Sequence, residues 1–408
     1  MKKIFALTAL SLALSSMAVS CDEGDEYVPP TNYTIDWNAA ADSATTALIQ
    51  NYWNAEKGFF NAKSDCYHGE TNNYWPQAHA MDVIIDAYLR TGDTKYSAMF
   101  DKWFEGIKTQ CWSSRKNEYW VPLYDDNAWI SCTMMRLYNV TKDTKYLEVA
   151  RHLFEDMMES WNDEGVGGLP WGDPSNSAYG GPNNQATPTN GPACVLGFRL
   201  YEATQDQKYL DDALRIYNFL REYILDPATG RVLNGIDGQT LESTGEALSE
   251  YTYNHGTVMA SAYAAYKHTG NALYLKDARR IASYAINKFS ESSTNVLKYE
   301  NNEWTWGGPD YGGDCALFRA IFFHYLADFI ESPDFDKNWR NKFFASMNAT
   351  ADYLWRRGLA DKSDYKFMLF ANKFDEGVAV GEVGTLNCQV TACACIEMRA
   401  RIANSLGK

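Results

Sequence analysis

The sequence predicts an all-α chain folded as an (α/α)6 barrel, a toroid of six inner and six outer helices. Three observations carry this: a short phrase that returns along the chain, an alternation of nearly uncharged with amphipathic helical stretches, and long connections confined to one end of each helix pair. The phrase is Thr91-Gly92-Asp93-Thr94-Lys95-Tyr96. It returns as Thr141-Lys142-Asp143-Thr144-Lys145-Tyr146, Thr204-Gln205-Asp206-Gln207-Lys208-Tyr209 and Thr269-Gly270-Asn271-Ala272-Leu273-Tyr274. Gly, Asp and Asn break one helix and cap the next, so each phrase joins an antiparallel pair through a tight turn.

Taken in order, the stretches that precede the phrase, 76–89, 127–140, 190–203 and 254–266, carry few charges and are predicted to be interior; 314–330 follows the same pattern and 385–403 supplies a sixth. The outer set is 36–55, 96–111, 145–161, 208–223, 273–289 and 335–357. Within 145–161, Leu147, Ala150, Phe154, Met157 and Trp161 make one apolar stripe while Glu148, Arg151, Glu155 and Glu159 point away. A chain that starts with an outer helix and ends with an inner one can pair the two and close, where an open solenoid cannot. Strand content should be low, with a small hairpin in the loops. The connections entering inner helices, 112–124, 162–189, 226–253, 290–310 and 358–384, are long and rich in Gly and Trp, which places function at that end.

With 408 residues, 46% hydrophobic and 22% charged, the chain can bury a large core. Its net charge of -15 and lack of a basic run exclude nucleic acid as an expected partner. A neutral partner fits better, and 13 Trp and 27 Tyr offer faces suited to stacking on sugar rings. Residues 1–20 read as a signal peptide, with Lys2 and Lys3 before an apolar run. Ala18 and Ser20 precede Cys21 as at a bacterial lipoprotein cleavage site, so the lipid is expected on Cys21; a plain signal peptide with an incidental Cys is the alternative. Residues 21–34, with Asp22, Glu23, Asp25 and Glu26 before Pro29 and Pro30, make an acidic tether, and 35–408 one folded domain. The expected location is the outer membrane, facing the cell surface, with the periplasm as the alternative; membrane contact is through the lipid alone, and the protein is expected to be a monomer. Cys66, Cys111, Cys132, Cys194, Cys315, Cys388, Cys393 and Cys395 remain, several in buried helices where a free thiol acts as a small hydrophobe. Cys393-Ala394-Cys395 has neither zinc nor redox spacing and the six His do not cluster, so no metal and no other cofactor is expected.

The chemistry-bearing stretch is Tyr124-Asp125-Asp126-Asn127-Ala128-Trp129, two adjacent carboxylates opening an interior helix whose next charge is Arg136. Acids in a first turn are ordinary companions of the helix dipole and Asp is a good N-cap. An interior pair is different, because like charges in close quarters drive one pKa up. The equivalent helix starts bring Trp75, Asn190, Tyr253, Asn254, His255 and Asp310 to the same end, and the loops add Trp171 and Trp306. With Tyr124 they supply donors, acceptors and stacking faces for a sugar; capping and rim packing are the structural alternatives for each.

In order and approximate spacing, Tyr124-Asp125-Asp126-Asn127-Ala128-Trp129, Gly167-Gly168-Leu169-Pro170-Trp171, Tyr253-Asn254-His255-Gly256-Thr257 and Phe318-Arg319-Ala320-Ile321-Phe322-Phe323-His324-Tyr325-Leu326 resemble glycoside hydrolase family 76, the endo-α-1,6-mannanases. The resemblance implies an (α/α)6 catalytic domain that binds α-mannan, a polysaccharide, and cleaves its α-1,6 bonds with retention. It also implies Asp125 as nucleophile and Asp126 as general acid/base. Two other readings stand beside it: a non-catalytic glycan-binding surface lipoprotein, and another (α/α)6 sugar enzyme such as an unsaturated-glycoside hydrolase or an epimerase.

Overall fold

The structure, a computed structural model, describes residues 34–65, 74–113, 116–163, 165–300 and 313–407. The signal peptide, the tether with Cys21, and Cys66, Trp306 and Asp310 lie outside the described residues.

The repeated phrase works through its side chains. Thr91 Oγ1 donates to the Ala87 carbonyl at 2.7 Å and accepts from the Asp93 N–H at 3.1 Å; Asp93 then accepts from the Lys95 N–H at 2.9 Å. Thr141, Thr204 and Thr269 repeat the first contact, and Asp143, Asp206 and Asn271 repeat the cap. The residue between is left-handed each time: Gly92 at φ 68°, Gly270 at φ 70°, but Lys142 at φ 61° and Gln205 at φ 59°.

These turns cut the chain into α1 (Trp37–Tyr52), α2 (Trp75–Thr91), α3 (Thr94–Ser97), α4 (Phe100–Gly106), α5 (Tyr124–Thr141), α6 (Thr144–Met158), α7 (Thr187–Thr204), α8 (Gln207–Phe219), α9 (Thr252–Thr269), α10 (Ala272–Phe289), α11 (Asp314–Glu331), α12 (Lys337–Arg357) and α13 (Leu386–Leu406). The inner helices pack in sequence, α2 on α5, α5 on α7, α7 on α9, α9 on α11, α11 on α13, and α13 returns to α2, with α1 outside α13. The ring is closed, and the fold is an (α/α)6 barrel. One predicted outer helix, 96–111, is broken into α3, α4 and a 3-10 turn, Ile107–Thr109, with α4 lying against a hairpin of β1 (Trp53–Asn54) and β2 (Phe59–Phe60). A second antiparallel pair, β3 (Asn184–Ala186) with β4 (Gly235–Asp237), ties together the loops that enter α7 and α9. The seven cysteines among the described residues are free thiols, and all but the half-buried Cys111 are buried.

Inner and outer helices also begin differently. The side chains of Asp36, Asp93, Asp143, Asp206, Asn271 and Asp336 cap the outer ones. At the inner starts Tyr74, Leu123, Ala186, Tyr251, Gly313 and Thr385 make no side-chain cap. The amides, hydroxyls and acids gathered there therefore lie inside their helices or in the loops, and capping does not account for them. First-turn N–H groups at that mouth are left for other acceptors, such as Glu300, which takes the Thr252 N–H at 2.8 Å.

Candidate active site

Because Leu123 holds the cap position of α5, Asp125 and Asp126 are the second and third residues of the helix. Asp125 Oδ1 accepts the Asp126 N–H at 3.0 Å. Its other oxygen is reached from a distant loop: Trp171 Nε1 donates to Asp125 Oδ2 at 2.9 Å. That loop is stitched in place by its backbone, with Tyr124 N–H on the Trp171 carbonyl at 2.9 Å and Trp171 N–H on the Asn184 carbonyl at 2.8 Å. Its approach needs glycine. Gly167 and Gly168 both sit at φ 87°, and a Cβ on Gly168 would fall 2.6 Å from the Phe219 ring and 2.8 Å from the Gln185 side chain.

The two carboxyls live in different surroundings. Burial pushes Asp125 up to about 6, against the Trp171 and backbone N–H groups that favour its ionised form. Asp126 is 6% exposed, and burial together with the charges of Asp125 and Asp314 holds it well above the usual carboxylate range. Asp314 opens α11, accepts from Trp75 Nε1 at 3.2 Å and is pushed up to about 7, chiefly by burial, with Asp125 and Glu246 adding to the rise. Glu246 sits on a 3-10 turn, Gly245–Leu248, in the loop before α9. The mouth thus gathers four carboxyls, each held above its ordinary value.

Around and below them aromatic rings close a circuit, with Trp75 and Tyr253 in the first turns of α2 and α9 and His79, Trp129 and Phe318 about one turn further in. Trp75 meets His79 (centroids 5.6 Å), His79 meets Trp129 (5.2 Å), Trp129 meets Tyr253 (6.2 Å), Tyr253 stacks on Phe318 (4.0 Å), and Phe318 returns to Trp75 (6.3 Å). The collar draws on α2, α5, α9 and α11. Tyr253 Oη donates to Asn234 Oδ1 at 3.3 Å and Asn254 Nδ2 to the same oxygen at 2.7 Å.

Of the residues expected at the mouth, Asp125, Asp126, Trp75, Trp171 and Tyr253 come together there, while Asn254 is fully enclosed behind them on Asn234. Three further expected contacts are corrected, each because the side chain is enclosed in the wall. Tyr124 is 1% exposed with its hydroxyl on Ser160 Oγ at 2.9 Å. Asn190 clamps the Trp171 loop through the Leu169 N–H and the Leu169 and Ala186 carbonyls, each at 2.8 Å. His255 stacks on Tyr284 and bonds the Tyr251 carbonyl through Nδ1 and the Val232 N–H through Nε2. Sequence reasoning names Trp129 and Phe318 only within longer stretches and does not single them out, although each lies four residues after a mouth carboxyl on the same helix. The sequence places the stretch 310–314 at the mouth but singles out Asp310 and not Asp314, and it missed Glu246, for which no local signal exists.

Comparison with known proteins follows the same lines. The sequence model described as "Glycosyl hydrolase family 76" matches residues 36–400. An α-1,6-mannanase of Salegentibacter sp. HEL1_6 superposes with a TM-score of 0.77 at 29% identity, over 90% of this chain and 100% of that one. An inactive variant of that enzyme, with two consecutive aspartates changed to alanine, has been solved with α-1,6-mannotetrose; it matches at 28% identity and the same TM-score. A mannan endo-1,6-α-mannosidase of Candida glabrata is 28% identical over 282 residues, 63% of this chain and 58% of that one. A Schizosaccharomyces pombe relative is 25% identical over 221 residues, 49% of this chain and 47% of that one, so the chain spans about half the length of the curated relatives it matches. A match that runs from the cap of the first helix into the last, on a closed ring whose mouth holds the aspartate pair, assigns the chain: it belongs to glycosyl hydrolase family 76.

Proposed function

We propose that the protein is an endo-acting glycoside hydrolase that cleaves α-1,6-mannosidic bonds in mannan backbones with retention of configuration. The observation that carries this reading is the inequality of Asp125 and Asp126. A retaining enzyme needs one carboxylate to attack the anomeric carbon and one carboxylic acid to protonate the leaving oxygen. Asp125, with two N–H donors on its oxygens and a pKa near 6, is the group suited to attack at neutral pH. Asp126, buried between Asp125 and Asp314, is the group suited to keep its proton. Attack by Asp125 forms a glycosyl ester as Asp126 gives its proton to the departing sugar; Asp126 then removes a proton from water, which cleaves the ester and restores both groups. The relatives' α-1,6-mannanase activity and the inactive variant with both of its consecutive aspartates replaced support the substrate and a catalytic use of the pair. Trp75, Trp171 and Tyr253 are proposed to face the sugar, and a lipid on Cys21 to tether the domain at the outer membrane.

Incubation with linear α-1,6-mannan, followed by reducing-end release and the anomeric proton signals of the first products, tests this directly. New reducing ends of the α form support retaining hydrolysis. A folded protein that binds mannan without releasing ends would favour the glycan-binding reading instead.

A further inference from the structure

The aromatic collar contains a buried ring nitrogen that the fold leaves without a partner. His79 lies four residues after Trp75 on α2, is 5% exposed, and stands edge-on between Trp75 and Trp129. Its Nδ1 faces Asp82 Oδ2 at 3.6 Å, while its Nε2 is buried without a hydrogen-bond partner. Asp82 is bound by Arg136 at 2.9 Å and accepts from Thr133 Oγ1 at 3.2 Å. Burial works against its charge, yet Arg136, His79 and His324 together hold Asp82 well below the usual carboxylate range. An ionised carboxylate opposite Nδ1 keeps the ring proton there, so Nε2 carries the lone pair. Burial also lowers the pKa of His79, which keeps the ring neutral.

The other histidine of this network shows what saturation looks like. Arg136 continues from Asp82 to Asp86, and Asp86 meets His324 Nε2 at 2.6 Å while His324 Nδ1 bonds the Ala320 carbonyl at 2.9 Å. His324 spends both nitrogens on the protein; His79, at the mouth end of the same chain of charges, spends one. Leaving a buried acceptor unpaired forfeits its hydration with nothing in return. A ring needed only for packing would be served by Phe, with no such cost. Its neighbours in the collar are otherwise engaged, Trp75 on Asp314 and Tyr253 on Asn234.

We propose that His79 is a positioning residue for the sugar that enters the bore, its Nε2 a fixed acceptor for one sugar hydroxyl at the level of the collar beneath Asp125 and Asp126. Asp82 and Arg136 set the tautomer and hold the ring. The hydroxyl donates to Nε2, with Trp75 and Trp129 flanking the histidine on either side. This rests on the mannan reading above, and the test separates the two.

The full domain carrying Asp125→Asn and Asp126→Asn, which cannot turn substrate over under that reading, is titrated with α-1,6-mannotriose while the His79 ring nitrogens are followed by long-range proton–nitrogen NMR. The free protein should show Nε2 unprotonated, and saturation with mannotriose should move that resonance in the direction of an accepted hydrogen bond. Adding His79→Phe should weaken mannotriose binding about tenfold. A mannotriose analogue lacking the bonded hydroxyl should lose affinity for the His79 protein and lose none for His79→Phe. If mannotriose binds and both the Nε2 resonance and the affinity ignore the change, His79 is a packing residue and this proposal alone falls. Should the double variant bind no mannotriose at all, the mannan reading falls and takes this one with it. The NMR arm needs no change at position 79, so a His79→Phe chain that failed to fold would still leave a decisive measurement.

Discussion

Asp125 and Asp126 are joined by one peptide bond, yet Trp171 reaches the first and the charge of Asp314 bears on the second. Their expected responses to the same isosteric change therefore differ. Each Asp→Asn variant should fold and lose orders of magnitude in turnover on mannan. Asp126→Asn should recover in part on a mannoside whose leaving group needs no proton, measured as kcat/KM, while Asp125→Asn should not; the opposite pattern would reverse the two roles. Trp171→Phe removes a donor that favours ionised Asp125, so the acid limb of kcat/KM, expected near about 6, should move upward by about one pH unit. An unmoved limb would detach Trp171 from the chemistry. Stability should carry the same signature with a definite sign. The folded pKa of Asp125 lies above its ordinary value, so its ionisation penalises the folded state above about pH 6 and has no effect below about pH 4. Asp125→Asn should then raise the unfolding free energy by about 1–2 kcal/mol at pH 8, discounted for its partial exposure, and leave it unchanged near pH 3.5. At this scale the adjacent acids were legible because they interrupt an apolar helix. Trp171, 46 residues away from Asp125, was legible as a candidate but its partner was not. The contact exists only because a glycine turn and a strand pair bring two loops together.

Among the elements, the repeated phrase was legible almost atom for atom, because a threonine that closes a helix and an aspartate that opens the next act within a few residues. The left-handed residue between them makes a local test. A Cβ at Gly92 would meet nothing within 4 Å, so Gly92→Ala should cost only its backbone strain, about 1 kcal/mol. Lys142 already bears that strain in the equivalent turn, and Lys142→Gly should return a similar amount, less its Nζ contact over the Tyr138 ring at 5.2 Å. Chemical denaturation of both variants reads the pair; losses at both sites would mean that the turns are not equivalent. Inner helix starts were less legible. The apolar run gives 127–140 for α5 with the two acids opening it, and the helix, which begins at Tyr124, holds both acids in its first turn. Residues that look like caps were not caps, because their side chains turn to the bore and the loops.

For the whole molecule, closure rests on the two ends of the domain meeting. Glu397 of α13 accepts from Arg90 Nε of α2 at 2.7 Å and from Thr45 Oγ1 of α1 at 2.6 Å, and its side chain is 1% exposed. Glu397→Ala would leave the Arg90 guanidinium, buried at this seam, with Asp42 at 2.8 Å as its remaining ion partner and should lower the unfolding free energy by about 2–3 kcal/mol, with Glu397→Gln costing less. A loss below about 1 kcal/mol would show that the seam is held by its apolar packing alone. Helix type, helix order, the inner and outer assignment and the aspartate pair were determined by the sequence by itself. Each is written in contacts between residues a few positions apart, or in a periodic face that must be buried whatever it is buried against. Tertiary structure alone decided which mouth residues are wall and which are surface, that Asp314 rather than a nearer acid stands over Asp126, and that five rings from four helices close a collar with one histidine nitrogen left over. Those outcomes depend on side chains separated by tens to hundreds of residues meeting in a bore whose low polarity sets their charges, and no local pattern encodes that meeting.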